Sequence, residues 1–138
     1  MNRGRILIAD SNKSDRQRLS KVLLVEGYEV LEATDGAEAV STIHSHRPDL
    51  VLLSTTFPPD VAHGGGAFTD GFLIIDWLKR MEEAQAIRIV LITSEDAAQL
   101  HDKARASGAM GLFQKPINPE PLLHVLQQIL GGVPSQAG

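Results

Sequence analysis

Five times along the chain, a short apolar run is followed by a stretch whose apolar residues recur at helical spacing. That alternation restricts the fold more than any single residue does. The runs are Ile6 to Ala9, Val30 to Ala33, Leu50 to Leu53, Ile89 to Ile92 and Gly111 to Phe113. Several are apolar at every position, as a parallel strand covered on both faces requires. The stretches that follow carry helical stripes: Leu19, Val22 and Leu23; Val40 and Ile43; Ile74, Ile75, Leu78 and Met81; Ala97, Leu100 and Ala104; and Leu122, Val125, Leu126 and Ile129. Cap signals fall at the same boundaries. Asp35 and Glu38 have the spacing of a capping box, Asn118 precedes a first-turn Pro119, and Gly27 and Gly108 stand where helices should stop.

Five strand–helix units joined by right-handed crossovers make a doubly wound parallel sheet with five helices, in three α/β/α layers. The functional crevice of such a sheet lies at the carboxyl ends of its strands, near the point where strand order reverses. Asp10, Ser11, Ser54, Thr93 and Lys115 therefore belong to one rim.

The 138 residues suit one domain, expected over residues 1–130. Two stretches depart from the rhythm. Residues 57–69, rich in proline and glycine, form a long insertion between the third strand and the third helix; residues 131–138 read as a flexible tail or the start of a linker. A net charge of -4 offers no basic footprint for nucleic acid. With no cysteine there is no disulfide framework and no thiolate metal site. No apolar run is long enough to cross a bilayer and no signal-peptide core is evident, so the expected location is the cytoplasm.

The rim residues resemble the receiver domains of two-component response regulators. Ile6-Leu7-Ile8-Ala9-Asp10-Ser11-Asn12 resembles the opening strand that ends in two acidic residues, and Pro48-Asp49-Leu50-Val51-Leu52-Leu53-Ser54 the third strand that ends in the phospho-acceptor. Phe57-Pro58 and Asp70-Gly71-Phe72 resemble the landmarks that follow it. Leu91-Ile92-Thr93-Ser94 is similar to the strand ending in a hydroxyl residue, and Gly108-Ala109 with Lys115-Pro116 to the segment carrying the lysine. The likeness runs from about residue 5 to 130 and implies the flavodoxin-like strand order 2-1-3-4-5.

In such receivers two acidic residues and the acceptor aspartate hold Mg2+ through oxygen ligands, while the lysine and the hydroxyl hold the phosphoryl oxygens. This chain departs from the pattern at three positions. Asp10 matches the first acidic position, but Ser11 takes the second and Ser54 takes the acceptor position. Leu112 takes the aromatic switch position, with Phe113 one step later on the opposite face of the strand. Thr93 and Lys115 are retained.

Two carboxylates about 5 Å apart repel by roughly 3 kcal/mol at an effective dielectric of 20, and a divalent ion normally offsets this. Serine at two of three positions removes that repulsion together with the anionic ligands. Its hydroxyl is neutral near pH 7 and a weak nucleophile without a base. The expectation is no tightly bound Mg2+, no other cofactor and no aspartyl phosphate at residue 54. Asp10 is then a vestigial metal ligand or, more simply, the partner of Lys115, which otherwise donates to Ser54 and nearby carbonyls. Thr93 serves as an inherited switch hydroxyl or as a local hydrogen-bonding group.

Other features read more plainly. Gly64-Gly65-Gly66 lacks the Lys-Ser or Lys-Thr of a phosphate loop, Asp70 reads as the cap of the third helix, and His44 and His46 point to different helix faces. Trp77, among charged residues, should be partly exposed.

The leading expectation is a non-enzymatic binding module: a receiver acting through protein contacts, with an output domain, a sensor histidine kinase or a second copy as partner. By resemblance, contacts would use the face of the fourth helix, fifth strand and fifth helix, with Gln99, Lys103, Ser107 and Met110. A phosphorelay role through a substitute acceptor is the alternative. A nucleotide- or flavin-binding protein ranks last, because Ser11-Asn12-Lys13-Ser14 supplies little glycine for a phosphate loop.

Overall fold

The computed structural model describes residues 3–57, 70–81 and 87–131. Most of the 57–69 connection and all but the first residue of the 131–138 tail lie outside the described residues. The elements are β1 (Arg5–Ala9), α1 (Lys13–Val25), β2 (Glu29–Ala33), α2 (Gly36–His46), β3 (Leu50–Ser54), α3 (Gly71–Lys79), β4 (Arg88–Thr93), α4 (Ala97–Ser107), β5 (Gly111–Gln114) and α5 (Pro119–Leu130).

All strands are parallel, and the sheet runs β2-β1-β3-β4-β5. Strand order reverses between β1 and β3, which sets the carboxyl ends of those two strands side by side. β3 is central, and each of its five residues is buried, as its unbroken Leu-Val-Leu-Leu run requires.

Alternation along the strands divides the core in two. Leu7, Ala9, Val51, Leu53, Ile89 and Leu91 face Ala39 and Ile43 of α2, Ile74, Ile75 and Leu78 of α3 and Ala104 of α4. Ile6, Ile8, Leu50, Leu52, Val90 and Ile92 face the other way, onto Leu19 and Leu23 of α1 and Leu122, Leu126 and Leu130 of α5. Leu112 packs with the first group and Phe113 with the second, so the two do lie on opposite faces of β5. The fourth helical stripe buries little, with Ala104 the one buried residue of α4.

Helix boundaries follow local chemistry. Asn12, Asp35, Asp70, Asp96 and Asn118 cap the five helices, each accepting a backbone N–H of the first turn. The capping box at α2 is displaced by one residue: Asp35 accepts from the Glu38 N–H, but the Glu38 carboxylate takes the Thr34 N–H rather than that of Asp35. Gly108 ends α4 at φ 89, in the left-handed region glycine enters without penalty. At the end of α2 the same conformation falls to Arg47, φ 45, a termination with no glycine to announce it.

Candidate functional site

The ends of β1, β3, β4 and β5 bring together four of the five rim residues singled out in the sequence. Asp10 follows β1 directly, and its N–H donates to Ala33 O on β2. One step beyond the Ala9–Leu53 pairing of β1 with β3, it stands alongside Ser54. Thr93 closes β4, and Lys115, just past β5, donates its N–H to Thr93 O at 2.7 Å. Asp10, Ser54 and Thr93 are buried, and Ser11 is exposed on the rim.

The charges pair off among themselves. Lys115 Nζ lies 2.6 Å from Asp10 Oδ2 and 3.0 Å from Asp15 Oδ2. The 2.6 Å contact is an ion pair rather than a well-directed hydrogen bond, since Oδ2 has no partner of good hydrogen-bond geometry. Asp10 Oδ1 accepts the Asn12 N–H at 3.0 Å. Asp10 is thus paired with Lys115. Asp15, in the first turn of α1, is a second partner that sequence reasoning did not single out. An acid there reads as an ordinary helix start, favourable to the dipole, and only the path of the 10–13 turn aims it at Lys115.

Burial by itself would lower the pKa of the Lys115 ammonium. The Asp10 and Asp15 carboxylates outweigh burial and hold it above the ordinary 10.5. A cation whose folded pKa is raised contributes stability that is complete below the unfolded value and is lost as pH rises through the folded one. The urea midpoint of the native chain should therefore fall above pH 10.5. In a Lys115→Met chain that fall should be smaller. Equal alkaline losses in the two chains would show that the ammonium is not held by these carboxylates.

The hydroxyls are committed as well. Ser54 Oγ donates to Thr56 O at 2.8 Å and accepts the Thr56 N–H at 3.3 Å, turned back onto its own loop. Thr55 Oγ1 donates to Thr93 Oγ1 at 2.8 Å in a buried contact, and Thr93 Oγ1 also accepts the Glu95 N–H at 3.0 Å. Thr93 thus makes local hydrogen bonds to Thr55 and Glu95. Beneath the rim, the Arg16 guanidinium donates to Asp10 O at 2.7 Å and to Glu32 at 2.8 Å, bracing the end of β1 from α1 and β2.

This donor set does not fit a hard divalent cation. It offers two carboxylates, Asp10 and Asp15, both already facing one ammonium, and two neutral serines, one of them bonded to the carbonyl beside it. Among the described residues, no three or more His, Cys, Asp or Glu side chains are grouped to hold a metal ion. No helix among them is long and apolar enough to cross a membrane.

Away from the rim, Asp70 accepts the Phe72 N–H as the cap of α3, and Trp77 is about one-third exposed. Met110 is exposed, while the Lys103 ammonium lies 4.5 Å above the Phe72 ring.

Comparison with known proteins places the chain. The family described as response regulator receiver domain matches residues 6–127. Protein PilH of Pseudomonas aeruginosa is 27% identical over 128 residues, covering 93% of this chain and 98% of that one. The transcriptional regulatory protein PdtaR of Mycobacterium tuberculosis is 32% identical over 124 residues; the match takes in 89% of this chain but only 55% of that protein. Among solved structures, the chemotaxis response regulator CheY4 of Vibrio cholerae superimposes with a TM-score of 0.77 at 30% identity, covering 91% of this chain and 97% of that one.

Proposed function

Since the chain belongs to the response regulator receiver family, we propose that it is a receiver with a silenced phosphorylation site, acting in two-component signalling through protein contacts rather than through phosphate. The observation that carries this reading is the state of residue 54. A serine occupies the acceptor position, with its hydroxyl bonded to the Thr56 carbonyl and the rim lysine held by Asp10 and Asp15. An acyl phosphate requires a carboxylate, and the Ser54 hydroxyl donates to the Thr56 carbonyl rather than to a base that would make it a nucleophile. On this reading Mg2+ is not bound tightly, because the Lys115 ammonium already holds both nearby carboxylates, Asp10 and Asp15.

The module is read as non-enzymatic and cytoplasmic, with residues 1–130 as its working unit. Its partner is an output domain, a kinase or a second copy, reached through α4, β5 and α5, where Gln99, Lys103 and Met110 are exposed. The net charge of -4, with no basic footprint, argues against nucleic acid as a direct partner of this domain.

Incubation with a small phosphodonor and Mg2+, followed by intact-mass measurement, tests the reading. The native chain should gain no phosphoryl group under conditions that fully modify a receiver bearing the acceptor aspartate. A hydroxylamine-labile adduct would restore the acyl-phosphate mechanism through a substitute acceptor such as Asp10. An acid-stable adduct on Ser54 would instead make this a serine-phosphorylated switch.

A further inference from the structure

We propose that Asp15 is a second anchor that fixes the Lys115 ammonium as the resident cation of the pocket, in the place a divalent ion would otherwise take. The inference rests on the silenced-pocket reading and adds to it a residue and a mechanism.

Three observations carry it. First, Asp10 is almost wholly buried, and its Oδ2 has no well-formed hydrogen bond, so its negative charge has to be met by a nearby cation. Lys115 Nζ at 2.6 Å is that cation. Second, Asp15 Oδ2 lies 3.0 Å from the same nitrogen, so two carboxylates from separate parts of the chain converge on one ammonium. Asp15 is set in place by its backbone. Its N–H donates to Asn12 Oδ1 at 3.0 Å, while the Asn12 N–H donates to Asp10 Oδ1. The cap that starts α1 therefore also aims both acids.

Third, the cavity on the α1 side of the ammonium is small. The cavity beside it is about 10 Å³ and is lined by Asp15, Arg18, Leu19, Lys115 and Ile117. That is room for about one water molecule, far less than a hydrated divalent ion needs. Arg18 adds a further positive charge at its wall. A metal ion that took both carboxylates would have to displace Lys115 from them.

The arrangement is a charge staple. One ammonium joins the end of β1, the first turn of α1 and the connection between β5 and α5. An acid placed only to favour the helix dipole would be satisfied at the α1 terminus and indifferent to residue 115.

The test uses Mn2+ alone as probe, read by paramagnetic broadening of backbone amides. Lys115→Met should bind Mn2+ at least about 10-fold more tightly than the native chain, with broadening centred on residues 10–15, because it frees two convergent carboxylates. Adding Asp15→Asn should abolish the gain. Binding no tighter in Lys115→Met than in the native chain overturns the proposal, and so does a gain that survives Asp15→Asn.

Should Lys115→Met not fold, Asp15→Asn in the otherwise native chain decides the matter. Acylation of Lys115 by an amine-directed reagent at fixed pH, followed by peptide mass, should accelerate several-fold while Lys103 is unchanged. An unchanged Lys115 rate overturns the proposal. A native chain that accepts phosphate would sink the silenced-pocket reading through a separate measurement, so the two failures are distinguishable.

Discussion

A chain carrying Ser11→Asp and Ser54→Asp together is expected to bind Mg2+ about 10²-fold more tightly than the native protein, a gain of about 2.8 kcal/mol. The scaffold for such a site is already present. Ser54 ends β3 and Asp10 follows β1, on neighbouring strands of the sheet. Two added carboxylates would join Asp10 as hard anionic ligands at the strand ends, enough to compete with the Lys115 ammonium. Without metal the same variant should be less stable than the native chain, because like charges a few ångströms apart repel by a few kcal/mol even at an effective dielectric of 20. Added Mg2+ should recover that loss by mass action, raising the unfolding midpoint with ion concentration in the variant and not in the native chain. Isothermal calorimetry and metal-dependent melting check both halves. A variant that folds but ignores Mg2+ would mean that the strand ends do not converge as the register requires.

The second large effect concerns the backbone. Gly71→Ala should destabilise the protein by about 3 kcal/mol or prevent folding, far beyond the cost of an ordinary surface change. Gly71 is the first residue of α3 and is buried against the end of β3, where its N–H donates to Thr55 O at 2.9 Å. A methyl group there would overlap the Ser54 carbonyl oxygen and lie 3.1 Å from Thr55 Cα. Both are main-chain atoms that cannot swing aside. Gly108→Ala makes the control. At φ 89 it suffers the left-handed penalty, about 1–2 kcal/mol, but its methyl group would meet only the flexible end of Lys79. Urea denaturation should rank Gly71→Ala well below Gly108→Ala. The reverse order would remove the case for close docking of α3 on β3.

The layered fold was legible because it depends on periodicity and short-range chemistry. Each of the five apolar runs became a strand. Asp70 and Asn118 cap the helices they precede, and Gly108 stops α4 in the conformation glycine favours. Leu112 and Phe113 separated onto opposite faces because a strand alternates. At the rim, the approach of Lys115 to Asp10 followed from opposite charges at the same end of one sheet.

The finer contacts were not legible, for a physical reason. Asp15 meets Lys115 across a turn whose path no periodicity describes. Thr55 meets Thr93 across 38 residues, and Arg16 meets Glu32 across 16, through rotamers that only the packed sheet selects. The direction of the Ser54 hydroxyl, back onto Thr56, depends on the loop after β3 rather than on the strand. Arg47 in the left-handed region carries no sequence signal, because arginine is not the residue such a turn selects.

The bond between Thr55 and Thr93 has a consequence for how messages travel through the molecule. A threonine whose oxygen is already occupied by a neighbouring strand and by the Glu95 amide gains nothing by swinging outward. To do so it must surrender a buried hydrogen bond, at a cost of about 1 kcal/mol. The bond thus biases the turn leading into α4 toward the conformation in which Thr93 points inward, by that same amount.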